Sequence, residues 1–575
     1  MSLPRPEHPR PQFERPSWLN LNGTWTFAFD PGKSGMARGL PASKGFERPI
    51  TVPFCPESQL SGVGETDFIE AMWYHRTIDI PTDWRDKRIL LHFGGVDYEC
   101  ELFVDGSFAG LHFGGSSSFE FDISAHVTAE TSHDIVLRIF DQTRDANQPG
   151  GKQCPVYASR RCHYTRTTGI WQTVWLEAVD IHALRDVHIV PDLDGARFVV
   201  TPRFYAQQRD LRWRVTVAGQ ESITAAAGDG IPILIEVVED ARPWCPVDPH
   251  LYDMAFEVLS SDGQILDRVN SYAGLRKVHV EGNRIFLNNE PVYQRLVLDQ
   301  GFYPDGIWTA PSDAAVKADI ELSMRAGFNG ARLHQKVFEE RFHYWADRLG
   351  YLTWGESASW GCDPHTDQGA RNFLSEWREI IERDRNHPSI ITWTPWNETW
   401  GSGDHDNAHY RTHADSYDLC KSLDPTRPVN DASGGIHVKT DLWTEHHYEQ
   451  DAAKLTQILT PTADGPWLRQ ANPVIRYSGQ PYLLDEFGGT KWVAPEQDDG
   501  DDWGYGEGPR TLEEFYQRLE ALVEAVLDLE HCWGYCYTQL TDVEQECNGI
   551  FLYDRSEKFD MDRIHAIFSR SRASA

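Results

Sequence analysis

Two carboxylates in this 575-residue chain stand where acid–base or nucleophilic chemistry is possible. Glu398 lies in ITWTPWNETWG (391–401), among aromatic and proline residues that would partly desolvate it. Burial of that kind raises a carboxyl pKa and suits a general acid. Glu486 lies in YLLDEFGG (482–489), where two following glycines leave room for a ligand. Two carboxyls facing each other across a pocket fit glycoside hydrolysis, and a separation of about 5–5.5 Å gives retention through a covalent intermediate. Each also has a plainer reading, Glu398 as a charge at a helix N-terminus and Glu486 as half of a structural ion pair. No Gly-rich phosphate loop, HExxH helix or GxSxG elbow occurs, which disfavours kinase, metalloprotease and serine-hydrolase chemistry.

The elements that must position these groups begin near residue 278, where apolar strand-like runs alternate with amphipathic helical stretches, the pattern of a parallel α/β fold. The expected strands are 292–298, 328–334, 351–357, 390–397, 428–432, 442–448, 481–487 and 533–540, and the clear helices 312–326, 339–349, 372–385, 408–423 and 511–530. Asn386-His387-Pro388 stops the third helix, since proline cannot continue it. Eight such strands predict a (β/α)₈ barrel, with the helix between strands six and seven poorly defined. Chemistry in barrels sits at the C-terminal strand ends. Those ends read Asp299, Arg332 with His334, Glu356, Asn397 with Glu398, Asp431, His446 with Tyr448, Glu486, and Gln539 with Asp542. Arg332 has the alternative of bridging barrel carboxylates, His334 and His446 of being satisfied core histidines, and Asp542 of capping a helix. Trp533 starts the eighth strand, a place that argues for packing.

The first part of the chain reads differently. Residues 1–180 carry short alternating runs such as TWTFAFD (24–30) and HDIVLRIFD (133–141), the pattern of a jelly-roll β-sandwich. Residues 181–277 continue in that style over a length suited to one immunoglobulin-like sandwich. With 54 Lys and Arg against 87 Asp and Glu, the net charge of −33 repels phosphate backbones and disfavours a nucleic-acid partner. The 21 Trp fit either sugar-stacking platforms or a Trp-rich core. No run is long and apolar enough to span a membrane and no secretory h-region is visible; the ten scattered Cys form no zinc spacing, so free thiols in a cytosolic protein are expected. The acidic run 496–502 reads as a solvated loop, with a calcium site as the lesser alternative.

LNLNGTWTFAFD (19–30), WYHR (73–76), GIWQTVWLE (169–177), GLRKV (274–278), HPSIITWTPWNETWG (387–401), PYLLDEFGG (481–489) and YTQLTDVEQECNGIF (537–551), in that order, resemble glycoside hydrolase family 2 along essentially the whole chain. The resemblance implies a retaining glycosidase with no cofactor or metal, in which Glu398 is the acid/base and Glu486 the nucleophile. It further implies that Asn397 bonds the sugar 2-hydroxyl, Tyr448 bonds the nucleophile, Arg332 keeps it ionised, and His446 and Trp533 touch the glycone. The loop 141–153 resembles a segment that reaches toward the barrel mouth. Asp299, His334 and Glu356 complete the expected substrate-binding set. Two departures matter: the chain stops soon after the barrel, and ECNGIF (546–551) lacks the Asn-x-Lys element with which β-glucuronidases hold a carboxylate. The substrate expected is a terminal glycoside, first a β-galactoside, then an α-L-arabinofuranoside or β-galactofuranoside, and less a β-glucuronide. An inactive sugar-binding relative is the reading of another class, and a homo-oligomer stays open.

Overall fold

Alternating apolar residues in the first part of the chain pair into two antiparallel sheets, in a computed structural model that describes residues 3–572 except 207–209, 219–221, 238–240, 402–405, 464, 470–471 and 495–500. A six-stranded and a four-stranded sheet stack face to face, and Trp25, Leu102 and Leu137 from one meet Leu91 and Leu176 from the other. This is the jelly-roll sandwich. Trp25, Trp73, Trp171 and Trp175 are all buried there, so in this part the indoles serve the core. A second sandwich follows, built from a three-stranded and a four-stranded sheet around Phe198, Trp213 and Phe256. Most of the acidic run 496–502 lies outside the described residues.

The barrel strands are β1 (Gln294–Asp299), β2 (Gly330–Leu333), β3 (Leu352–Glu356), β4 (Ile390–Thr394), β5 (Ala432–Ser433), β6 (Trp443–His447), β7 (Tyr482–Gly488) and β8 (Cys532–Thr538). Seven of them form one parallel sheet in the order β4-β3-β2-β1-β8-β7-β6. The short β5 pairs in parallel with Trp396–Asn397, and Val429 bridges Trp393, which carries the wall from β4 toward β6. The helices are α1 (Asp313–Ala326), α2 (Glu340–Leu349), α3 (Asp367–Asp384), α4 (Asp406–Leu423), α5 (Ala452–Leu459), α6 (Leu512–Leu527) and α7 (Met561–Phe568). Ser312, Thr366 and Thr511 cap α1, α3 and α6 by accepting a backbone N–H two or three residues into the helix. The segment between β6 and β7 contains the short α5, capped by Asp451.

The first of two further features was not read from the sequence, and the second includes the loop 141–153, which resembled a segment reaching toward the barrel mouth. A three-stranded antiparallel sheet, Val278–Glu281, Arg284–Leu287 and Glu290–Pro291, closes the bottom of the barrel. Its Ile285 and Leu287 pack with Trp244, Leu296, Leu298 and Ile391 as the barrel floor. At the opposite, C-terminal end, two segments of the first sandwich dock on barrel loops. Gly150 and Gly151 donate backbone N–H groups to the Trp360 carbonyl at 2.8 and 3.0 Å, and Gln545 donates to the carbonyls of Arg161 and His163.

Two of the expected site residues need correction, Trp533 from the family resemblance and Asp299 from the strand ends. Trp533 sits at the start of β8, where its neighbour Gly534 pairs with Gln294 at the start of β1. The guanidinium groups of Arg284 and Arg572 cover its ring at 4.5 and 5.0 Å, so it belongs to the barrel floor and is far from a glycone. Asp299 ends β1 but faces outward. Side chains alternate along a strand, and Leu296 and Leu298 join the floor while Val297 joins the helix layer. Asp299 therefore points with Val297; it accepts the Gly301 N–H and titrates near 7, raised by burial and then by Asp319 of α1.

Candidate active site

Arg332, fully buried at the end of β2, organises one wall of the mouth. Its Nε donates to Glu356 at 2.5 Å, its Nη1 to Oε1 of Glu486 at 3.0 Å, and its Nη2 to Oδ1 of Asn397 at 2.5 Å and Nδ1 of His334 at 2.8 Å. Strands two, three, four and seven thus meet at one guanidinium. Removing water from these charges is offset only because every N–H finds an acceptor. Nδ1 of His334 also lies 3.0 Å from Oε1 of Glu356, and burial followed by the Arg332 charge pushes the ring well below the usual histidine range, hence neutral. The Asn397 amide nitrogen is buried with no protein partner among the described residues, so its donors are free for a ligand.

Glu486 is gripped from both sides. Oε1 takes the Arg332 bond, and Oε2 accepts the Tyr448 hydroxyl at 2.5 Å. The Tyr448 ring lies flat against Tyr505, their planes 2° apart, which fixes the hydroxyl's direction. Glu398 follows Asn397 with a left-handed backbone, φ 48°, and its N–H donates to the Ser433 carbonyl at 2.8 Å. A side-chain-bearing residue in that region costs about 1–3 kcal/mol, and such strain gathers at functional sites. It turns the Glu398 carboxylate over the mouth, where it is the more exposed of the two acids.

His446 of β6 lies between them. Its Nδ1 is 2.9 Å from Oε1 of Glu398 and 3.2 Å from Oε2 of Glu486, while Nε2 meets the Ser433 hydroxyl at 2.9 Å and Asp485 at 3.3 Å. Burial alone would lower its pKa, but Glu486, Asp485 and the Glu398 hydrogen bond lift it to about 10. The same contact overturns the expectation of a raised pKa at Glu398. Burial does push that acid up, yet the hydrogen bond and charge of His446, then Lys152 and His334, hold it at about 2. In this state the proton resides on the imidazole.

One oxygen of each carboxylate and Nδ1 of His446 lie within 4.8 Å of one another, among the described residues the one trio with metal-ligand spacing. A cation there would have to displace the His446 proton.

Of the remaining strand ends, Asp431 is bound to His437 at 2.7 Å, Gln539 accepts from Gln300, and Asp542 pairs with Lys558. None reaches the two carboxylates. Residues absent from the sequence reading also build the site: Ser433, Asp485, Tyr505, Trp360, whose Nε1 donates to the Asn397 carbonyl at 3.1 Å, and Lys152 of the first sandwich, buried against Trp360. Asp485 precedes Glu486 and Ser433 ends β5, so strand-end position was their available signal; Lys152 lies in the loop 141–153, whose resemblance to a segment reaching toward the barrel mouth was its signal. Trp400 lies by the acid, with the Arg469 guanidinium 4.7 Å from its ring, whereas Trp396 turns away to stack on Phe373.

Comparison with known proteins gives three family matches in chain order. Residues 44–178 match the glycosyl hydrolases family 2 sugar binding domain, 182–276 a further glycosyl hydrolases family 2 domain, and 278–490 the glycosyl hydrolases family 2 TIM barrel domain. A β-glucuronidase of Paenibacillus borealis is 26% identical over 71% of this chain and 72% of its own length. A β-galactosidase of Thermoanaerobacter pseudethanolicus is 24% identical over 69% of this chain and 51% of its own length. The chain thus spans about half the length of that β-galactosidase, and 42% of a Lactococcus lactis one. Among solved structures, a Ruminococcus gnavus β-glucuronidase in complex with D-glucuronic acid superposes with a TM-score of 0.78 at 19% identity, covering 98% of this chain and 100% of that one. At that identity the superposition speaks for the fold.

Proposed function

This chain belongs to glycosyl hydrolase family 2 and is a glycoside hydrolase, and from that premise we propose that it is a retaining exo-glycosidase with Glu486 as nucleophile and Glu398 as acid/base. The observation that carries the reading is that Nδ1 of His446 lies 2.9 Å from Oε1 of Glu398 and 3.2 Å from Oε2 of Glu486, with one oxygen of each carboxylate within 4.8 Å of the other. An inverting enzyme needs about 6.5–9.5 Å between its carboxyls to seat a water, whereas a retaining one holds them about 5–5.5 Å apart.

In the first step a Glu486 oxygen bonds to the anomeric carbon as the bond to the aglycone oxygen breaks, and that oxygen takes a proton from Glu398. The donors on both Glu486 oxygens aim the carboxylate at the anomeric carbon. The proton reaches Glu398 from His446 across their 2.9 Å hydrogen bond once the leaving oxygen draws near. In the second step Glu398 removes a proton from water and passes it back to His446 across the same hydrogen bond, the hydroxide oxygen bonds to the anomeric carbon, and the glycosyl–Glu486 ester bond breaks. The free Asn397 amide is suited to the sugar 2-hydroxyl, a contact that tightens in the transition state. The docked segments of the first sandwich wall the mouth, which supports attack at a chain end.

A β-galactoside is the proposed substrate, since Glu546 and Asn548 stand in the loop after β8 where an Asn-x-Lys element would hold a uronate. A panel of nitrophenyl pyranosides and furanosides tests this. Glu486→Ala should abolish turnover, and Glu398→Ala should be rescued by azide on substrates with good leaving groups. Activity near wild type in the first, or no rescue in the second, would remove the assignment.

A further inference from the structure

Arg469 and Trp400 stand together on the solvent side of Glu398. Arg469, from the segment between β6 and β7, brings Nη1 to 3.7 Å from Oε1 of Glu398, and its guanidinium carbon lies 4.7 Å from the centre of the Trp400 ring. Side-chain exposure rises from 6% at Glu486 to 26% at Glu398 and 48% at Arg469, so the row runs from the depth of the mouth outward. Both residues are anchored through the backbone. The Arg469 N–H donates at 3.1 Å to the buried Glu445, whose other oxygen accepts the Trp443 indole N–H, and the nearby Trp467 carbonyl accepts the Tyr482 hydroxyl at 3.0 Å. Before Trp400, the Thr399 carbonyl accepts the Ile436 N–H at 3.1 Å.

The guanidinium forms no hydrogen bond with any described residue. Its distance to Glu398 is beyond hydrogen-bond reach, and the oxygen it approaches already takes His446 at 2.9 Å. Tuning the acid does not require it either, since His446, then Lys152 and His334, account for the low pKa of Glu398. A guanidinium laid over an indole keeps its N–H donors free at the edge. In a retaining glycosidase the glycone lies over the nucleophile, and the leaving group lies beyond the scissile bond on the side of the acid. The first groups met on that side, going outward from Glu398, are Arg469 and Trp400. Sugar hydroxyl oxygens are acceptors that such donors can bond.

Resting on the glycosidase reading above, we infer that Arg469, laid over Trp400, is the subsite for the leaving group, where its N–H groups bond hydroxyl oxygens of a second sugar, so that the favoured aglycone is a sugar and not an alkyl or aryl group.

The test uses the full chain and three glycosides of the preferred glycone: a disaccharide, the cyclohexyl glycoside and the nitrophenyl glycoside. The first two have poor leaving groups that need the Glu398 proton, and only the disaccharide offers hydroxyls to Arg469. Wild type should favour the disaccharide over the cyclohexyl glycoside by at least about 10-fold in kcat/KM. Arg469→Met should lower kcat/KM on the disaccharide about 10-fold more than on the cyclohexyl glycoside, chiefly through KM, the scale of a hydrogen bond to a charged group. Trp400→Leu removes the platform under the guanidinium and should show the same selectivity. A second readout is the fate of the glycosyl–Glu486 intermediate, because an acceptor enters where the leaving group departed. In R469M the yield of transfer to an added free sugar, relative to methanol, should fall about 10-fold. Equal losses on the disaccharide and the cyclohexyl glycoside would assign Arg469 to the Glu398 proton and overturn the inference. So would a wild type that does not distinguish the two, or an unmoved transfer ratio. Wild-type turnover of the nitrophenyl glycoside separates the two levels. Its absence sinks the glycosidase reading itself, whereas turnover with equal losses sinks only the subsite.

Discussion

Nδ1 of His446 and Oε1 of Glu398 share a hydrogen bond 2.9 Å long, and through it a strand-six histidine sets the protonation of the acid after strand four. Because the imidazole titrates near 10 and the carboxylate near 2, the pair keeps one proton over a wide pH range. His446→Asn removes the partner that holds Glu398 down, and burial then lifts the acid. The alkaline limb of kcat/KM should move to lower pH, with kcat reduced about 10- to 1000-fold. A pH–rate profile with its alkaline limb unmoved would contradict this coupling.

Tyr448→Phe deletes the donor to Oε2 of Glu486 and leaves the stacking on Tyr505 in place. Loss of a hydrogen bond to a charged group costs about 1.5–3 kcal/mol, so kcat should fall about 10- to 150-fold while thermal stability changes little. Equal losses on substrates with good and poor leaving groups are expected in the glycosylation step, which pre-steady-state kinetics reads.

Glu376 on α3 joins the barrel to the first sandwich by accepting the Ser116 N–H at 2.7 Å, and its second oxygen is buried without a partner. Burial raises its pKa to about 8. A carboxyl raised in the folded state binds its proton more tightly there than when unfolded, so its contribution is complete below the unfolded value of about 4.5 and is lost as pH rises through about 8. The melting temperature should therefore fall between pH 6 and pH 9, and Glu376→Gln should flatten part of that fall. Parallel wild-type and E376Q melting curves across the range would contradict it.

Trp533→Phe tests the correction to the glycone contact that the family resemblance implied. Its ring packs with Arg284 and Arg572 on the barrel floor, so the variant should lose stability, by about 1–3 kcal/mol, and keep kcat/KM within twofold. A selective rise in KM would place the indole at the sugar after all.

The barrel was legible because its strands end in charged and amide residues at one face, and because helix stops such as Asn386-His387-Pro388 are local signals. Arg332, His334, Glu356, Asn397, Glu398, His446, Tyr448 and Glu486 gather at that face as the strand ends indicated. Asp299 escaped because facing is a matter of parity, and one residue along a strand changes mouth for helix layer. The strand-start position of Trp533 argued correctly for packing at the floor, and only the family resemblance put it at the glycone. The low pKa of Glu398 arises from a histidine 48 positions away, and Lys152 comes from a glycine-rich loop with no period to read. Pairings of that range exist only in the folded chain.

The central claim is that Glu486 attacks the sugar and Glu398 serves as acid, then base. Proton NMR of the product formed in the first minutes of hydrolysis of the best nitrophenyl glycoside tests it most directly. Two carboxylates with oxygens within 4.8 Å predict a first-formed anomer of the same configuration as the substrate, which later mutarotates. A first-formed anomer of inverted configuration would contradict the account outright.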